Sequence, residues 1–226
     1  MSTMRYELKY EVNEAVLPLL RARLRAVLQP DRHSGPDGYL VRSLYFDDVD
    51  SSAYRDKLNG HLERSKLRLR YYNGDESYIV LENKEKLGQM TRKTAQKVSR
   101  ETALAMVKGD REQCMEARGP VMDQFLARGG TRILKPRVLV DYRRTAFVHP
   151  VSNVRITLDE KVSTGLYRTD LFDREAARLP VLDPGRAVLE VKFDRFLPPH
   201  LDDALRDIPM IRLAVSKYVK CLGVLQ

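Results

Sequence analysis

Polar and apolar residues alternate along many short stretches of this chain, and a period of two is typical of β-strands. In the first such stretch, Glu7 and Lys9 would share one face and Leu8 the other. This alternation predicts strands at residues 4–12, 39–47, 61–72, 77–86, 90–98, 132–148, 153–160, 162–167 and 186–194. Helical spacing and capping signals predict helices at residues 14–28, 51–58, 100–108, 112–128, 199–206 and 211–224. Many strands with few helices, often adjacent in sequence, favour an antiparallel α+β architecture.

The polar face of these strands is mainly cationic. The groups that parity places on shared faces are Glu7 with Lys9; Lys66, Arg68 and Arg70; Glu82, Lys84 and Lys86; Lys93 with Lys97; Tyr142 with Arg144; Arg155, Thr157 and Asp159; and Glu190 with Lys192. One interpretation is an ordinary amphipathic sheet with a solvated charged face, although such a face would also carry Thr, Ser and Gln. The other is a sheet closed into a barrel, with charges inside and helices outside. Because unpaired buried cations are costly, a charged interior would be wet and would hold anions.

Composition narrows the class of partner. Hydrophobic residues make up 43% of the 226 residues and charged residues 31%, which is ordinary for a folded protein. No repeat or long linker divides the chain, so we predict a single domain over residues 1–226. The net charge of +9, from 40 Lys and Arg against 31 Asp and Glu, indicates a polyanionic partner. With no Trp and no aromatic cluster on the basic faces, we do not expect nucleic acid.

The chain lacks the signals of a membrane or secreted protein. Its apolar stretches are a few residues long, whereas a spanning helix needs ~20. Residues 1–12 lack the apolar core of a signal peptide. Cys114 and Cys221 are the only cysteines, so a reduced compartment is the default. We therefore expect a cytoplasmic protein with no transmembrane segment.

Several short segments carry a family resemblance in a fixed order. They are residues 5–10 (RYELKY), 43–47 (SLYFD), 64–70 (RSKLRLR), 81–84 (LENK), 142–147 (YRRTAF), 154–159 (VRITLD), 188–193 (VLEVKF) and 216–218 (SKY). The sequence resembles the VTC domain, the polyphosphate polymerase domain of the vacuolar transporter chaperone, in a stand-alone bacterial-type form. This family belongs to the CYTH-like triphosphate tunnel metalloenzymes. The resemblance implies a closed antiparallel β-barrel with a charged interior and helices packed outside. It also implies transfer of the ATP γ-phosphate to a growing polyphosphate chain, with Mn²⁺ or Mg²⁺ as cofactor.

The resemblance assigns roles position by position. It implies phosphate binding by Lys9, Arg68, Arg70, Lys84, Tyr142, Arg144, Ser216 and Lys217, and metal binding by Glu190. Among these, Lys9, Arg68, Arg70, Arg144 and Lys217 are the candidate catalytic residues. Either Lys93 or Lys97 matches a further phosphate-binding lysine, and we favour Lys93. Strand parity adds Lys66, Arg155 and Lys192 as candidate phosphate contacts, although Lys66 and Lys86 could instead lie at the solvated rim.

The candidate carboxylates leave alternatives open. Glu7 is a second possible metal ligand; Asp159 is either a third or a partner that holds Arg155. Glu190 could instead pair with cations only to limit their repulsion. Hydrolases of the CYTH family begin with Glu-x-Glu-x-Lys, whereas this chain has Arg5 at the first position, which favours transfer over hydrolysis. A triphosphate hydrolase and a non-catalytic module that binds polyphosphate or inositol phosphates remain alternatives. A separate membrane partner is possible.

Overall fold

The computed structural model describes residues 4–214 and 216–224. The strands are β1 (Arg5–Asn13), β2 (Gln29–Pro30), β3 (Tyr39–Asp48), β4 (Glu63–Tyr72), β5 (Asp75–Leu87), β6 (Met90–Val98), β7 (Leu134–Val148), β8 (Arg155–Thr164), β9 (Leu179–Pro180), β10 (Arg186–Phe193) and β11 (Met210–Arg212). The helices are α1 (Leu17–Val27), α2 (Ser52–Leu58), α3 (Arg100–Lys108), α4 (Arg111–Glu116), α5 (Pro120–Thr131), α6 (Pro199–Leu205) and α7 (Lys217–Gly223). A 3₁₀ turn, Glu14–Val16, precedes α1. None of these helices is long and apolar enough to cross a bilayer.

The long strands close into a barrel. They follow the order β7-β3-β4-β5-β6-β1-β10-β8, and β8 pairs back with β7. Every pairing is antiparallel. The predicted α+β fold, a closed antiparallel barrel, is therefore confirmed. Closure leaves none of these eight strands as a free edge, and it gives the sheet an inner face and an outer face.

Alternation along the strands decides which side chains face outward. On β4, Leu67 and Leu69 are fully or almost fully buried on the outer face, where α3, α4 and α5 cover them. On the opposite side of the barrel, α1 and α6 cover outward residues of β1, β8 and β10, such as Leu158 and Leu189. The prediction of helices packed outside the barrel is confirmed. The apolar faces are thus buried without using the interior, which leaves the interior free for charged side chains.

Two further helices close one end of the barrel. Val138 and Val140 of β7 and Tyr45 of β3 share the inner face, and they pack against Tyr218 and Cys221 of α7 and against α2. The Tyr218 hydroxyl donates a hydrogen bond to the Asp47 carboxylate at 2.5 Å. This packing holds the start of α7 against the cavity described below.

Three element predictions need correction. The predicted helix 112–128 is two helices, because Pro120 takes the first position of α5 and cannot continue α4. The predicted strands 153–160 and 162–167 form one strand, β8, with an irregular register near Lys161 (φ 52°). The predicted helix 211–224 begins as β11, because residues 210–212 pair with β1, and α7 starts only at Lys217.

Candidate functional site

The barrel encloses a cavity of about 450 Å³. Strands β1, β3, β4, β5, β7 and β10 line it together with the ends of α2 and α7 and the segment before α7. Twelve lysines and arginines line this cavity, against two carboxylates, Glu7 and Glu190. Such an excess of positive charge in a partly enclosed space attracts polyanions strongly.

Glu190 of β10 lies at the centre of the charges. Its carboxylate is 3.0 Å from Lys217 Nζ, 3.2 Å from Lys192 Nζ and 3.3 Å from Lys9 Nζ. Arg144 lies 3.8 Å away. Burial alone would raise the pKa of Glu190, but Lys217 and Lys9 hold it well below its ordinary value. The carboxylate is therefore ionised throughout the physiological range.

A second buried carboxylate fixes Arg144. Asp159 of β8 is fully buried and accepts two hydrogen bonds from the Arg144 guanidinium, at 2.6 and 2.7 Å. Lys217 Nζ lies 2.6 Å from the same carboxylate. Asp159 and Glu190 together raise the pKa of Lys217 despite its burial, so this ammonium stays charged. Two-point binding by Asp159 orients the planar guanidinium.

The remaining two carboxylates hold the cations of β4 and β5. Glu82, which is 1% exposed, lies 2.6 Å from Arg68 Nη2 and 3.5 Å from Arg70 Nη1. Glu7 lies 2.6 Å from Lys84 Nζ and 3.4 Å from Lys192 Nζ. We call these four carboxylates and the seven cavity-lining cations within 4.0 Å of them the inner network. Its cations are Lys9, Arg68, Arg70, Lys84, Arg144, Lys192 and Lys217.

Three uncharged side chains accept hydrogen bonds from cations that line the cavity. The Tyr142 hydroxyl accepts from Arg70 at 3.0 Å, and the Tyr45 hydroxyl accepts from Arg68 at 2.7 Å. Ser216 caps α7 and accepts from Lys66 Nζ at 2.7 Å. Tyr142 and Ser216, which the resemblance assigned to phosphate, therefore line the cavity and also position cations.

The structure brings most of the predicted phosphate-binding residues to the cavity. Lys93 contacts Glu82 at 2.9 Å, whereas Lys97 lies over the Tyr78 ring. Arg155 is held by Asp31 at 2.9 Å and by the Tyr39 hydroxyl. Within the described part of the chain, these three cations do not line the cavity. Phosphate binding by them stays a prediction without support from their placement.

Asp159 has a different partner from the one expected. It holds Arg144 and Lys217, so the alternative that it positions Arg155 is wrong. The inward parity of β8 was correct, but the antiparallel register places Asp159 opposite Arg144 of β7. Both Asp159 oxygens are engaged by cations.

Sequence reasoning missed several residues of the site. Glu82 was placed on the inner face but was given no role, although it anchors Arg68. Lys57 and Arg64 also line the cavity, as do Lys66 and Lys86, which parity had placed on the inner face. Parity along β4 and β5 signals Arg64 and Lys86, but nothing in the sequence signals Lys57, because it lies on a short helix.

Asp47, Asp48 and the two cysteines do not line the cavity. Asp47 and Asp48 accept hydrogen bonds from backbone N–H groups at the start of α2 and so cap this helix. Cys114 and Cys221 are buried free thiols. Among the described residues, no group of three or more His, Cys, Asp and Glu side chains could hold a metal ion by itself.

The Arg68→Ala substitution is expected to weaken tripolyphosphate binding by about 1.5–3 kcal/mol, the range for hydrogen bonds to charged groups. Because Arg68 neutralises the buried Glu82, we also expect the free energy of unfolding to fall by about 1–3 kcal/mol. Titration calorimetry and urea unfolding measure the two effects. Arg92→Ala, which breaks an exposed pair with Glu85, is the control and should change neither quantity appreciably.

A closed antiparallel barrel around a cationic cavity is the triphosphate tunnel fold, and structures that are similar to this chain share it. A putative adenylyl cyclase from Hippeastrum, described as having a dominant triphosphatase activity, is 14% identical with a TM-score of 0.56, covering 100% of this chain and 95% of that one. A putative adenylate cyclase from Bacillus halodurans is 16% identical with a TM-score of 0.51, covering 94% and 95%. A chain of the Schizosaccharomyces pombe Mediator head module is 12% identical with a TM-score of 0.50, covering 93% and 100%.

The family follows from the sequence match. The model of the VTC domain matches residues 4–226, and the chain therefore belongs to the VTC domain family. No curated protein sequence matches the chain significantly. The resemblance seen in the short segments is confirmed.

Proposed function

We propose that this chain is a metal-dependent polyphosphate polymerase, which transfers the γ-phosphate of ATP to a growing polyphosphate chain within the barrel. The observation that carries the proposal is the inner network, in which carboxylates hold seven cations around one cavity. Phosphoryl transfer requires in-line positioning and neutralisation of charge on the phosphoryl oxygens, with little covalent work by the protein. Cations held in place before substrate arrives provide that stabilisation without reorganisation.

The proposed roles follow the contacts. Arg68, Arg70 and Arg144 would bind phosphate oxygens through guanidinium groups that Glu82 and Asp159 hold from behind. Lys9 and Lys217 would bind the polyphosphate chain and still allow it to move along the cavity, because an ammonium group imposes no planar geometry on its ligand. Burial, opposed by Glu7, lowers the pKa of Lys84 to about 7, and the pKa of Lys192 is lowered in the same way. A bound polyanion would raise both values, so binding should take up protons.

Two carboxylates, those of Glu7 and Glu190, are suited to binding a metal ion together with the phosphates of the substrate. Glu7 and Glu190 line the cavity, and their pKa values lie far below the ordinary range, so both offer hard anionic oxygens. Mg²⁺ and similar ions are commonly bound by one or two carboxylates together with substrate phosphates and water. The ion would neutralise charge on the transferred phosphoryl group. Asp159 fits less well, because Arg144 and Lys217 occupy both of its oxygens.

Arg5 is the observation that favours transfer over hydrolysis. It points to Asp194, with 3.0 Å between Nε and Oδ1, and within the described residues it does not line the cavity. Hydrolases of the CYTH family carry a carboxylate there, so this site has one less group with which to bind metal and activate water. Triphosphate hydrolysis is the second candidate function, because a protein with the same fold is described as a triphosphatase. The fold by itself does not specify catalysis.

The test is incubation of the purified protein with ATP and either Mn²⁺ or Mg²⁺, followed by measurement of ADP, free phosphate and polyphosphate in the same sample. We expect ADP and polyphosphate without a matching amount of free phosphate. Free phosphate in equal amount to ADP would establish a hydrolase instead. Tight binding of tripolyphosphate without turnover would establish a binding module.

Two controls belong to this test. Arg144→Gln should abolish turnover, whereas Lys108→Gln, on the exposed end of α3, should not.

Tripolyphosphate should bind more tightly than phosphate and more weakly as salt is added. Equal affinity for the two anions would contradict several phosphate subsites in series. A cytoplasmic location, a single domain over residues 1–226 and a separate membrane partner stay predictions.

A further inference from the structure

Strand pairing around the barrel is sparse along one edge of β1. Strand β10 pairs along the other edge, whereas on this edge β6 pairs at Arg5 and Tyr6 and β11 pairs from Tyr10 to Val12. Within the described residues, positions 7–9 have no paired strand here. The segment after β11 runs along this opening, where the Leu213 N–H donates a hydrogen bond to the Lys9 carbonyl at 3.0 Å. We call this opening the seam.

Both faces of β1 reach the cavity at the seam. Glu7 and Lys9 line the cavity from the inner face, as alternation requires, but Tyr6 and Leu8, which belong to the opposite face, line it too. A strand that is paired along both edges would separate the side chains of its outer face from the interior. The gap beside residues 7–9 therefore explains why side chains from both faces line one cavity.

The seam gives the cationic cavity an uncharged and largely apolar wall. The uncharged residues that line the cavity there are Tyr6, Leu8, Gln89, Leu213 and Ala214. We call these five residues the seam wall. Gln89 lies in the turn between β5 and β6, beside Tyr6, because Met90 is the cross-strand partner of Tyr6. Among the described residues that line the cavity, Gln89 is the only one with a carboxamide side chain.

The ring of Tyr6 provides a supported flat surface in this wall. It stacks on Phe193 of β10, with the ring centroids 5.5 Å apart and the ring planes inclined by 19°. Phe193 covers one face of the ring, and Tyr6 is only partly buried. A ring that is already fixed by stacking loses little conformational entropy when a ligand binds to it.

The chemistry of the seam wall suits a nucleobase better than a phosphate chain. A phosphate chain has no apolar surface to bury against these side chains. A nucleobase has a flat face that stacks on aromatic rings and a polar edge that a glutamine amide can bind. The seam wall also begins where the inner network ends, because Tyr6 precedes Glu7 and Leu213 is bonded to the backbone of Lys9. A triphosphate held by the inner network would therefore have one end close to the seam wall.

We propose that the seam wall is a nucleoside-binding subsite, which binds the base of a nucleoside triphosphate by stacking on Tyr6 and by hydrogen bonds to Gln89. This inference rests on the proposed function, because it assumes that the inner network holds the triphosphate. The subsite makes the protein recognise ATP through its base as well as through its phosphates. It also orients the nucleotide so that the γ-phosphate points into the barrel.

The experiment is titration calorimetry of the metal-free protein with ATP and, separately, with tripolyphosphate. Tyr6→Leu keeps an apolar side chain but removes the flat ring. In this variant we expect the affinity for ATP to fall by about tenfold, within the range for losing one base–aromatic stack, while the affinity for tripolyphosphate stays near its wild-type value. The control is Tyr78→Leu, which changes a half-exposed tyrosine outside the cavity and should alter neither affinity.

A second variant keeps the test decisive if Tyr6→Leu does not fold. Gln89→Ala changes an exposed residue of a turn, so it should leave the fold intact. The affinity for ATP should fall by about threefold or more, the scale of one lost hydrogen bond, and that for tripolyphosphate should not change. An equal loss of affinity for both ligands would overturn the inference, and so would wild-type affinity for ATP in both variants.

These outcomes separate the subsite from the function on which it rests. If ATP binding depends on Tyr6 and Gln89 but the wild type does not convert ATP into polyphosphate, the subsite is correct and the proposed polymerase activity is wrong. If the wild type makes polyphosphate from ATP and both variants do so with an unchanged KM for ATP, only the subsite is wrong.

Discussion

Replacing Glu190 with glutamine is expected to lower turnover with ATP by about 100-fold or more, the scale of losing one strong electrostatic contact. The substitution keeps the size of the side chain but removes an anionic oxygen that would hold the metal. Binding of tripolyphosphate without metal should hold or tighten, because Lys9, Lys192 and Lys217 lose the negative charge they share. In this one variant, the turnover with ATP should fall while the metal-free affinity for tripolyphosphate does not. Steady-state kinetics and metal-free calorimetry measure the two quantities.

The control is Glu160→Gln, which removes a carboxylate that pairs with Arg21 outside the cavity. It should leave both turnover and binding near their wild-type values. If Glu190→Gln turned over ATP at the wild-type rate with unchanged metal dependence, Glu190 would serve only to limit repulsion among the lysines. Tighter anion binding alone does not separate the two roles, so the metal dependence decides between them.

Asp159→Asn is expected to lower the free energy of unfolding by about 3–5 kcal/mol, the range for breaking a buried ion pair by removing one partner. Asparagine has nearly the same shape, but it leaves Arg144 and Lys217 buried with less negative charge. Added tripolyphosphate should restore part of the loss, because the anion supplies charge to the same two cations. Urea unfolding with and without tripolyphosphate measures both effects.

The stability of Asp159→Asn should also depend on pH differently from that of the wild type. Arg144 and Lys217 hold the pKa of Asp159 below its ordinary value of 3.8 despite burial. Its stabilising contribution is therefore complete above that value and is lost as pH falls through the lower pKa of the folded protein. Asp159→Asn should show a shallower loss of stability in acid than the wild type. Asp203→Asn, which breaks an exposed pair with Arg206, should change stability by no more than about 1 kcal/mol. An effect of Asp159→Asn as small as that of the control would show that the pair does not stabilise the fold.

The sequence by itself determined most of the long strands and the direction of their side chains. A period of two is a local property, so Arg68 and Arg70 had to share a face, and Leu67 and Leu69 the other. The excess of cations on that shared face, with helices available to cover the apolar face, pointed to a charged interior. The predicted split between inner and outer faces therefore agrees with the structure on β1, β4, β5 and β10.

Tertiary structure decided which charges meet. Arg144 and Asp159 lie on different strands, and only the register between β7 and β8 brings them together. Lys217 reaches the cavity because apolar residues on the inner face of the barrel hold α7 against one end. Lys57 reaches it from α2, where helical spacing gives no indication of a shared face with β4 and β5. Side-chain direction along a strand follows from local geometry, but the pairing of charges depends on register and helix packing, which are set by contacts between residues far apart in the sequence.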